Sequence, residues 1–320
     1  MLATAELGES ESIAKWNRVW RNYYSATCPA AIKLSRYTRR LQLSHESGYT
    51  SEPVLTLTSQ TEHLLAQKSG ALGWMIFNNP AKHNAISMEM AEAVPHIMGE
   101  FDADPAIRVV IVRGAGEKAF AAGSNISSFG AVRTDAAQNR HYNEVNERSY
   151  NAVYECSKPT IAMIQGYCIG GGLDFATSCD IRICSDDASF AIPAVRLGLG
   201  YGYEGQIRLN RVIGPVSGRD LFFTGRRYTA DEALRIGLVH EVVPAAGLEH
   251  RVTEYASTLA QNAPLTLKAL KRGFIELEKD PGMRNMQAAQ DLIDVCFGSA
   301  DYVEGREAFA QKRRARFEGR

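Results

Sequence analysis

The sequence has few of the signals that mark metal proteins, membrane proteins or nucleic-acid-binding proteins. Its six cysteines form no C-x-x-C pair and its seven histidines no H-E-x-x-H pattern, which argues against a metal site. No apolar run reaches the ~18 residues of a membrane-spanning helix. The 36 basic and 36 acidic residues cancel, so no overall positive charge favours nucleic acid or an anionic membrane surface.

The remaining composition, 45% hydrophobic and 22% charged, is that of an ordinary globular protein. The length of 320 residues favours one domain of ~250 residues with extensions. The chain has no secretory apolar stretch, so reduced cysteines and a cytoplasmic location are expected. Residues 1–52 carry arginines but no acid between Glu11 and Glu46, as a mitochondrial transit peptide would. The acids nearer the start favour a loosely ordered extension instead, and the mitochondrial matrix stays the alternative.

Short apolar runs alternate with helical stretches in the middle of the chain. The runs that predict buried strands are Arg108–Arg113, Thr160–Ile164 and Ile181–Cys184. Helices are predicted at about 135–156 and 171–179, and mostly helix after residue 205. This alternation predicts an α/β fold with a mostly parallel sheet.

A glycine-rich turn follows the second of these strands, with the sequence Gly166-Tyr-Cys-Ile-Gly-Gly-Gly172. Its spacing is a poor match to the G-x-G-x-x-G dinucleotide turn. Three glycines before a helix are costly in chain entropy. They allow close backbone approach, and the unpaired amides of a helix start can hold a developing negative charge. A purely structural turn is the alternative that the turn alone leaves open.

A second loop of small residues follows the strand at 108–113 and includes Ala122, Gly123 and Ser124. Loops at the carboxyl ends of neighbouring parallel strands meet at one edge of a sheet, where open α/β sheets bind their ligands. The two loops together predict a site in which backbone amides converge on one oxygen.

Several motifs follow one another in order over about residues 54–318. They are Asn79-Pro-Ala-Lys-His-Asn-Ala-Ile-Ser87, Lys118-Ala-Phe-Ala-Ala-Gly-Ser-Asn-Ile126, Lys158 to Gly172, Cys179-Asp-Ile-Arg-Ile183, Phe190-Ala-Ile-Pro193, Ala230 to Val239 and Glu304-Gly-Arg-Glu-Ala-Phe309. In these motifs and their order the chain resembles the crotonase (enoyl-CoA hydratase/isomerase) superfamily.

The resemblance implies a crotonase-like spiral of ββα units over residues 53–255 and a helical trimerisation region over 256–320. It also implies a homotrimer or hexamer and an acyl-CoA substrate that brings coenzyme A with it, without a further cofactor. The oxyanion-hole amides fall on Ser124 and Gly171. Residues expected to bind substrate are Lys82, Asn84, Ala122 and Ile126.

The chain departs from the family pattern at both catalytic positions. Hydratases of this family carry two glutamates; the first corresponds to Asp174, which keeps a carboxylate on a shorter arm. The second corresponds to Ala194, which can move no proton. One carboxylate follows nearby, Glu204, in a loop that also holds Tyr201 and Tyr203. We predict that Asp174 and Glu204 are catalytic and that the two tyrosines line the acyl pocket. The alternatives are that Asp174 only stabilises the first turn of its helix, that Glu204 caps the following helix and that the tyrosines only pack.

These residues favour an enoyl-CoA hydratase or isomerase. A decarboxylase, thioester hydrolase or lyase needs the oxyanion hole but fewer acids, which suits Ala194. A non-catalytic acyl-CoA-binding protein is the third possibility, and the intact oxyanion turn argues against it.

Overall fold

A computed structural model describes residues 61–124 and 136–320, together with the backbone of 55–57. Residues 52–320 belong to one compact unit. The predicted N-terminal extension over residues 1–52 and the predicted substrate-binding residue Ile126 lie outside the described residues. None of the helices in the described part is both long and apolar enough to cross a membrane.

Strands form two sheets. They are β1 Leu55–Leu57, β2 Leu64–Ser69, β3 Leu72–Phe77, β4 Val109–Gly114, β5 Ala119–Ala121, β6 Thr160–Ile164, β7 Tyr167–Ile169, β8 Ile181–Ser185, β9 Ser189–Ala191, β10 Tyr228–Thr229 and β11 Glu241–Val243. The larger sheet has the order β1-β2-β3-β4-β6-β8-β11, and the smaller has the order β10-β9-β7-β5. From β3 to β11 all neighbouring strands of the larger sheet are parallel, which confirms the predicted α/β class.

Helices connect and cover the strands. They are α1 Met88–Ala103, α2 Ala136–Glu155, α3 Gly171–Ser178, α4 Tyr203–Thr224, α5 Ala230–Arg235, α6 Leu248–Ala260, α7 Pro264–Leu277, α8 Met286–Phe297 and α9 Ala300–Ala310. The predicted helical end of the chain is therefore present as α4 to α9. Helix α4 is interrupted at Gly214, whose φ of 71° is not helical.

The central strands are buried on both faces because their alternate residues enter two separate cores. Val109 and Ile111 of β4 pack in the smaller core with Leu248 and Val252 of α6. The intervening Val110 and its neighbours on that face pack in the larger core, which also holds α1 and α3. This two-sided burial is the reason that β4 and β6 read as continuous apolar runs.

The smaller sheet was missed by the sequence analysis. Its strands β5, β7, β9 and β10 are each two or three residues long and lie inside segments rich in small residues. β5 follows β4, and β7 follows β6, so the chain passes from the ends of the larger sheet directly into the smaller one. Strand β7 comes immediately before the glycines that begin α3.

Candidate active site

The two glycine-containing loops are in contact. A Cβ atom at Gly123 would lie 3.6 Å from the Gly171 nitrogen, and one at Gly171 would lie 3.7 Å from the Ser124 Oγ. The pairing of β5 with β7 in parallel produces this meeting, since each loop follows one of these strands. Within the described part of the chain, neither the Ser124 amide nor the Gly171 amide donates a hydrogen bond.

Glycine is required where these loops touch. A Cβ at Gly172 would lie 2.2 Å from the carbonyl oxygen of Ala121, and one at Gly123 would lie 2.8 Å from that of Ile169. Gly123 also has a φ of 87°, which L side chains rarely adopt. The entropy cost of these glycines is therefore offset by a backbone approach that no other residue permits.

The start of α3 leaves the Gly171 amide unpaired. The amide of Gly170, the N-cap, donates to the Ala191 carbonyl at 2.8 Å, and the amides of Leu173 and Asp174 donate back to the Gly170 carbonyl. The Gly171 N–H lies between these pairs at the positive end of the helix dipole. Such an amide is suited to hold an oxygen that gains negative charge.

Asp174 is buried in the first turn of α3, on the same helix as the Gly171 amide. Its Oδ2 accepts a hydrogen bond from the Tyr201 hydroxyl. Burial raises the pKa of the Asp174 carboxyl to about 6, although Arg208 and the Tyr201 hydrogen bond pull it down. A carboxyl with a pKa near neutrality can both take up and release a proton at physiological pH.

Arg208 of α4 is the cation that faces this carboxyl. It is 7% exposed, and its Nη2 donates to both carboxylate oxygens of Glu147 at 3.1 and 3.0 Å. Its Nε has no hydrogen-bond partner in the described residues and lies 3.9 Å from Asp174 Oδ1, beyond hydrogen-bond distance. The charge of Arg208 is thus shared between two carboxylates, and Asp174 receives only part of its stabilisation.

The two tyrosines predicted to form one pocket wall are placed differently. Tyr201 packs against the larger core, with its ring 5.1 Å from that of Phe222 in an edge-on contact. Its hydroxyl donates a hydrogen bond to Asp174 Oδ2. Tyr203 is 72% exposed. Only Tyr201 is therefore brought to Asp174.

Glu204 is exposed on the first turn of α4. The helix N-cap is Gly202, which has no side chain, and no hydrogen bond of Glu204 is found in the described residues. The next residue, Gly205, faces inward, because a Cβ there would lie 3.1 Å from Asp174 Oδ1. Glu204 is thus the neighbour in sequence of a residue that faces Asp174, but its own side chain faces solvent.

The loop before α1 is fixed to the second glycine loop by Asn84. Its buried amide donates to the carbonyls of Ala115 and Ala119 at 3.0 and 2.7 Å, and its Oδ1 accepts from the Asn79 amide. Ala122 is held to the same loop by its amide, which donates to the His83 carbonyl. All hydrogen-bonding atoms of the Asn84 side chain are occupied, so its effect on a ligand is to position the loop.

A surface cavity of about 480 Å³ lies where these loops meet, between residues 80–84 and 115–119. Lys82 is exposed on the short 3₁₀ turn beside it, and Lys118 is among the residues that line it. Lys118 begins one of the motifs that carry the family resemblance, but it was not predicted to bind substrate.

Sequence reasoning also missed Glu147, Tyr150 and Arg208. They lie on α2 and α4, far from Asp174 in the chain, and no local motif connects them. Their contact depends on the packing of both helices against α3.

Comparisons with known proteins agree with this geometry. The family model for enoyl-CoA hydratase/isomerase matches residues 67–320. The chain is 33% identical over 259 residues to a short-chain-enoyl-CoA hydratase of Clostridium acetobutylicum, covering 80% of this chain and 97% of that protein. It is 35% identical over 266 residues to a carnitinyl-CoA dehydratase of Proteus mirabilis, covering 82% of this chain and all of the relative.

Solved structures give the same result for the fold. A crystal structure of an enoyl-CoA hydratase/carnithine racemase from Magnetospirillum magneticum superimposes with a TM-score of 0.78 at 31% identity, covering 82% of this chain and 97% of that chain. An enoyl-CoA hydratase from Bacillus anthracis gives a TM-score of 0.75 at 29% identity, covering 81% and 100%. The predicted crotonase-type fold is confirmed. With a family model that spans most of its length and relatives above 30% identity, the chain belongs to the enoyl-CoA hydratase/isomerase family.

Proposed function

We propose that the chain adds water reversibly across the α,β double bond of an enoyl-CoA thioester. One observation carries the proposal: the backbone amides of Ser124 and Gly171 are unpaired, and the helix that begins at Gly171 holds in its first turn a buried carboxyl, Asp174, whose pKa is raised to about 6. The two amides are suited to bind the thioester oxygen, and the carboxyl is suited to transfer a proton.

The Ser124 and Gly171 amides would donate to the thioester oxygen. When the water oxygen bonds to the β-carbon, the π electrons of the double bond move toward that thioester oxygen, and an enolate forms. The enolate collapses as the α-carbon takes the proton that the attacking water has released, so one water molecule is consumed for each double bond. Removing one donor of this type costs on the order of 10²–10³ in rate in other enzymes.

Asp174 would accept the proton of the attacking water and pass it to the α-carbon in the forward reaction, and it would carry the proton in the opposite direction in the reverse reaction. Its carboxylate form is required for the first role. The Tyr201 hydroxyl keeps one carboxylate oxygen fixed, which leaves Oδ1 as the oxygen that acts on water.

We expect crotonyl-CoA to lose its conjugated absorbance and gain one water, with kcat/KM falling as the pH drops below about 6, where Asp174 becomes protonated. Product analysis by mass spectrometry checks the reaction. Release of free coenzyme A would favour the thioester hydrolase. Loss of carbon dioxide from a malonyl-type thioester would favour the decarboxylase, and binding without turnover would favour the non-catalytic protein.

Glu204 stays a prediction as a second acid–base residue. The side chain of Glu204 is exposed, and a carboxylate surrounded by water interacts only weakly with charges inside the site. Its contribution to the rate is therefore expected to be small. We therefore expect Glu204→Gln to reduce kcat by less than a change at Asp174 does. A loss of tenfold or more would support the catalytic role, and an unchanged kcat would remove Glu204 from the mechanism.

The remaining assignments belong to the same proposal. Coenzyme A would be bound along the loops that hold Lys82, Asn84, Ala122 and Ile126, with the tyrosines at 201 and 203 toward the acyl group. No cofactor besides that coenzyme A is needed. The names of the relatives, a short-chain-enoyl-CoA hydratase and a carnitinyl-CoA dehydratase, support an acyl-CoA substrate.

We also propose a homotrimer or hexamer and a cytoplasmic location. The helices α7 to α9 expose large apolar side chains, among them Phe274 at 64%, Phe297 at 63% and Phe309 at 66%. Exposed apolar side chains of this size favour association of subunits. The cysteines of the described part are free thiols, which supports a reducing compartment.

A further inference from the structure

Tyr150 has a hydroxyl that the proposed reaction does not yet use. The residue lies on α2, is 5% exposed, and packs in the larger core. No hydrogen bond of this hydroxyl is found in the described residues. The hydroxyl oxygen is not fully shielded from solvent, so it borders space that a water molecule can reach.

The hydroxyl points toward the Gly171 end of α3. A Cβ at Gly171 would lie 2.8 Å from the Tyr150 oxygen and 3.7 Å from the Ser124 Oγ. Since a Cβ is about 2.5 Å from the nitrogen of its own residue, the hydroxyl oxygen is at most about 5.3 Å from the Gly171 nitrogen. Two hydrogen bonds of about 2.9 Å can meet at one oxygen across that separation.

The ring is held in this orientation from two sides. The Phe175 ring meets it edge-on at 4.7 Å, and the Arg208 guanidinium lies over it at 4.8 Å. Arg208 is itself fixed by its hydrogen bonds to Glu147. Burial, then the nearby Asp174 carboxylate, raises the pKa of Tyr150 well above its ordinary range, so the hydroxyl keeps its proton and remains a donor.

We propose that the Tyr150 hydroxyl is a third donor to the thioester oxygen, beside the Gly171 amide. The inference rests on the proposed function, because it deepens the same oxyanion site. A side-chain donor adds what two backbone amides lack: it is positioned by α2 and α4, so packing of these helices sets the geometry of the oxyanion site. The enolate charge that develops in the reaction strengthens this hydrogen bond, which therefore lowers the barrier more than it tightens binding.

The test is Tyr150→Phe in the full chain, with Tyr154→Phe as the matched control. Tyr154 lies one turn further along α2, and its hydroxyl is bonded to Glu278, away from Gly171. The probe is 4-(dimethylamino)cinnamoyl-CoA, whose absorption moves to longer wavelength when its thioester carbonyl is polarised. For Tyr150→Phe we expect a smaller spectral shift on binding and a kcat for crotonyl-CoA hydration lower by about 10²-fold. KM should change much less.

Thermal unfolding separates this role from a structural one. Phenylalanine keeps the ring contacts and removes a hydroxyl that has no hydrogen-bond partner in the described residues, so the Tyr150→Phe protein should melt at about the wild-type temperature. A lower melting temperature that accounts for the lost activity would overturn the proposal.

Three further outcomes would contradict the donor role. An unchanged spectral shift and kcat in Tyr150→Phe rule out the hydroxyl while the proposed function stands. An unchanged shift with lost hydration places the hydroxyl on the attacking water instead of the thioester oxygen. A wild-type protein that neither shifts the probe nor hydrates crotonyl-CoA contradicts the proposed function and, with it, this inference.

Discussion

Replacement of Asp174 with asparagine is expected to lower kcat for enoyl-CoA hydration by about 10²–10⁴-fold, the usual contribution of a positioned acid–base group. Asparagine has nearly the same shape and keeps an oxygen to accept the Tyr201 hydrogen bond. It cannot take up the proton of water. Steady-state kinetics with crotonyl-CoA measures the effect, and Asp291→Asn, a change at an exposed carboxylate on α8, is the control.

The same substitution should not weaken the fold at neutral pH. The carboxyl of Asp174 has a pKa raised from 3.8 to about 6, so between these values the folded protein holds a proton that the unfolded chain has lost. The free energy of unfolding therefore falls as the pH rises through this window. Asparagine does not titrate, so this fall is absent from the variant. Denaturant unfolding at pH 5 and pH 8 should therefore show that the free energy of unfolding depends less on pH in the variant than in the wild type. A variant with wild-type kcat would contradict the role of Asp174 whatever its stability.

Replacement of Gly172 with alanine is expected to separate the two loops of the oxyanion site. The added Cβ would lie 2.2 Å from the Ala121 carbonyl oxygen, a backbone atom that cannot turn away as a side chain would. Either the backbone is strained at this contact, or β5 moves away from α3. We expect the free energy of unfolding to fall by about 3 kcal/mol and hydration activity to be lost. Chemical denaturation and the crotonyl-CoA assay measure the two effects.

Gly99→Ala is the control for this change. Gly99 lies inside α1, and nothing is within 4 Å of the position of its Cβ. Alanine there should raise the free energy of unfolding by about 0.5–1 kcal/mol, since it reduces the entropy of the unfolded chain in a helical position. If Gly172→Ala were as stable and active as Gly99→Ala, the close approach of the loops would not be needed for the site.

Predictions from the sequence were accurate where one segment alone contains the signal. β6 begins and ends at the predicted residues, and β4, α2 and α3 differ by one residue at each end or less. Continuous apolar runs and glycine clusters are local features, and buried strands and tight turns are what such runs and clusters form. The family resemblance then followed from ordered motifs, and it correctly implied the fold.

Sequence alone did not predict the small sheet, because its strands are too short to carry an alternating pattern. β5 and β7 are each three residues long, and β7 lies within the segment that was interpreted as a turn. These strands exist because they pair with one another beyond the ends of the larger sheet. Pairing partners that are far apart in the chain cannot be recognised from the composition of either one.

By itself the sequence determined the α/β class, the family, the two glycine loops and the presence of a carboxylate at Asp174 in place of a glutamate. Tertiary structure decided the electrostatics of the site. Packing of α2 and α4 against α3 brings Glu147, Tyr150 and Arg208 to Asp174, buries its carboxyl and leaves Glu204 in solvent. The pKa of a carboxyl depends on burial and on charges within a few ångströms, and these distances are set by side chains that the chain brings together only when it folds.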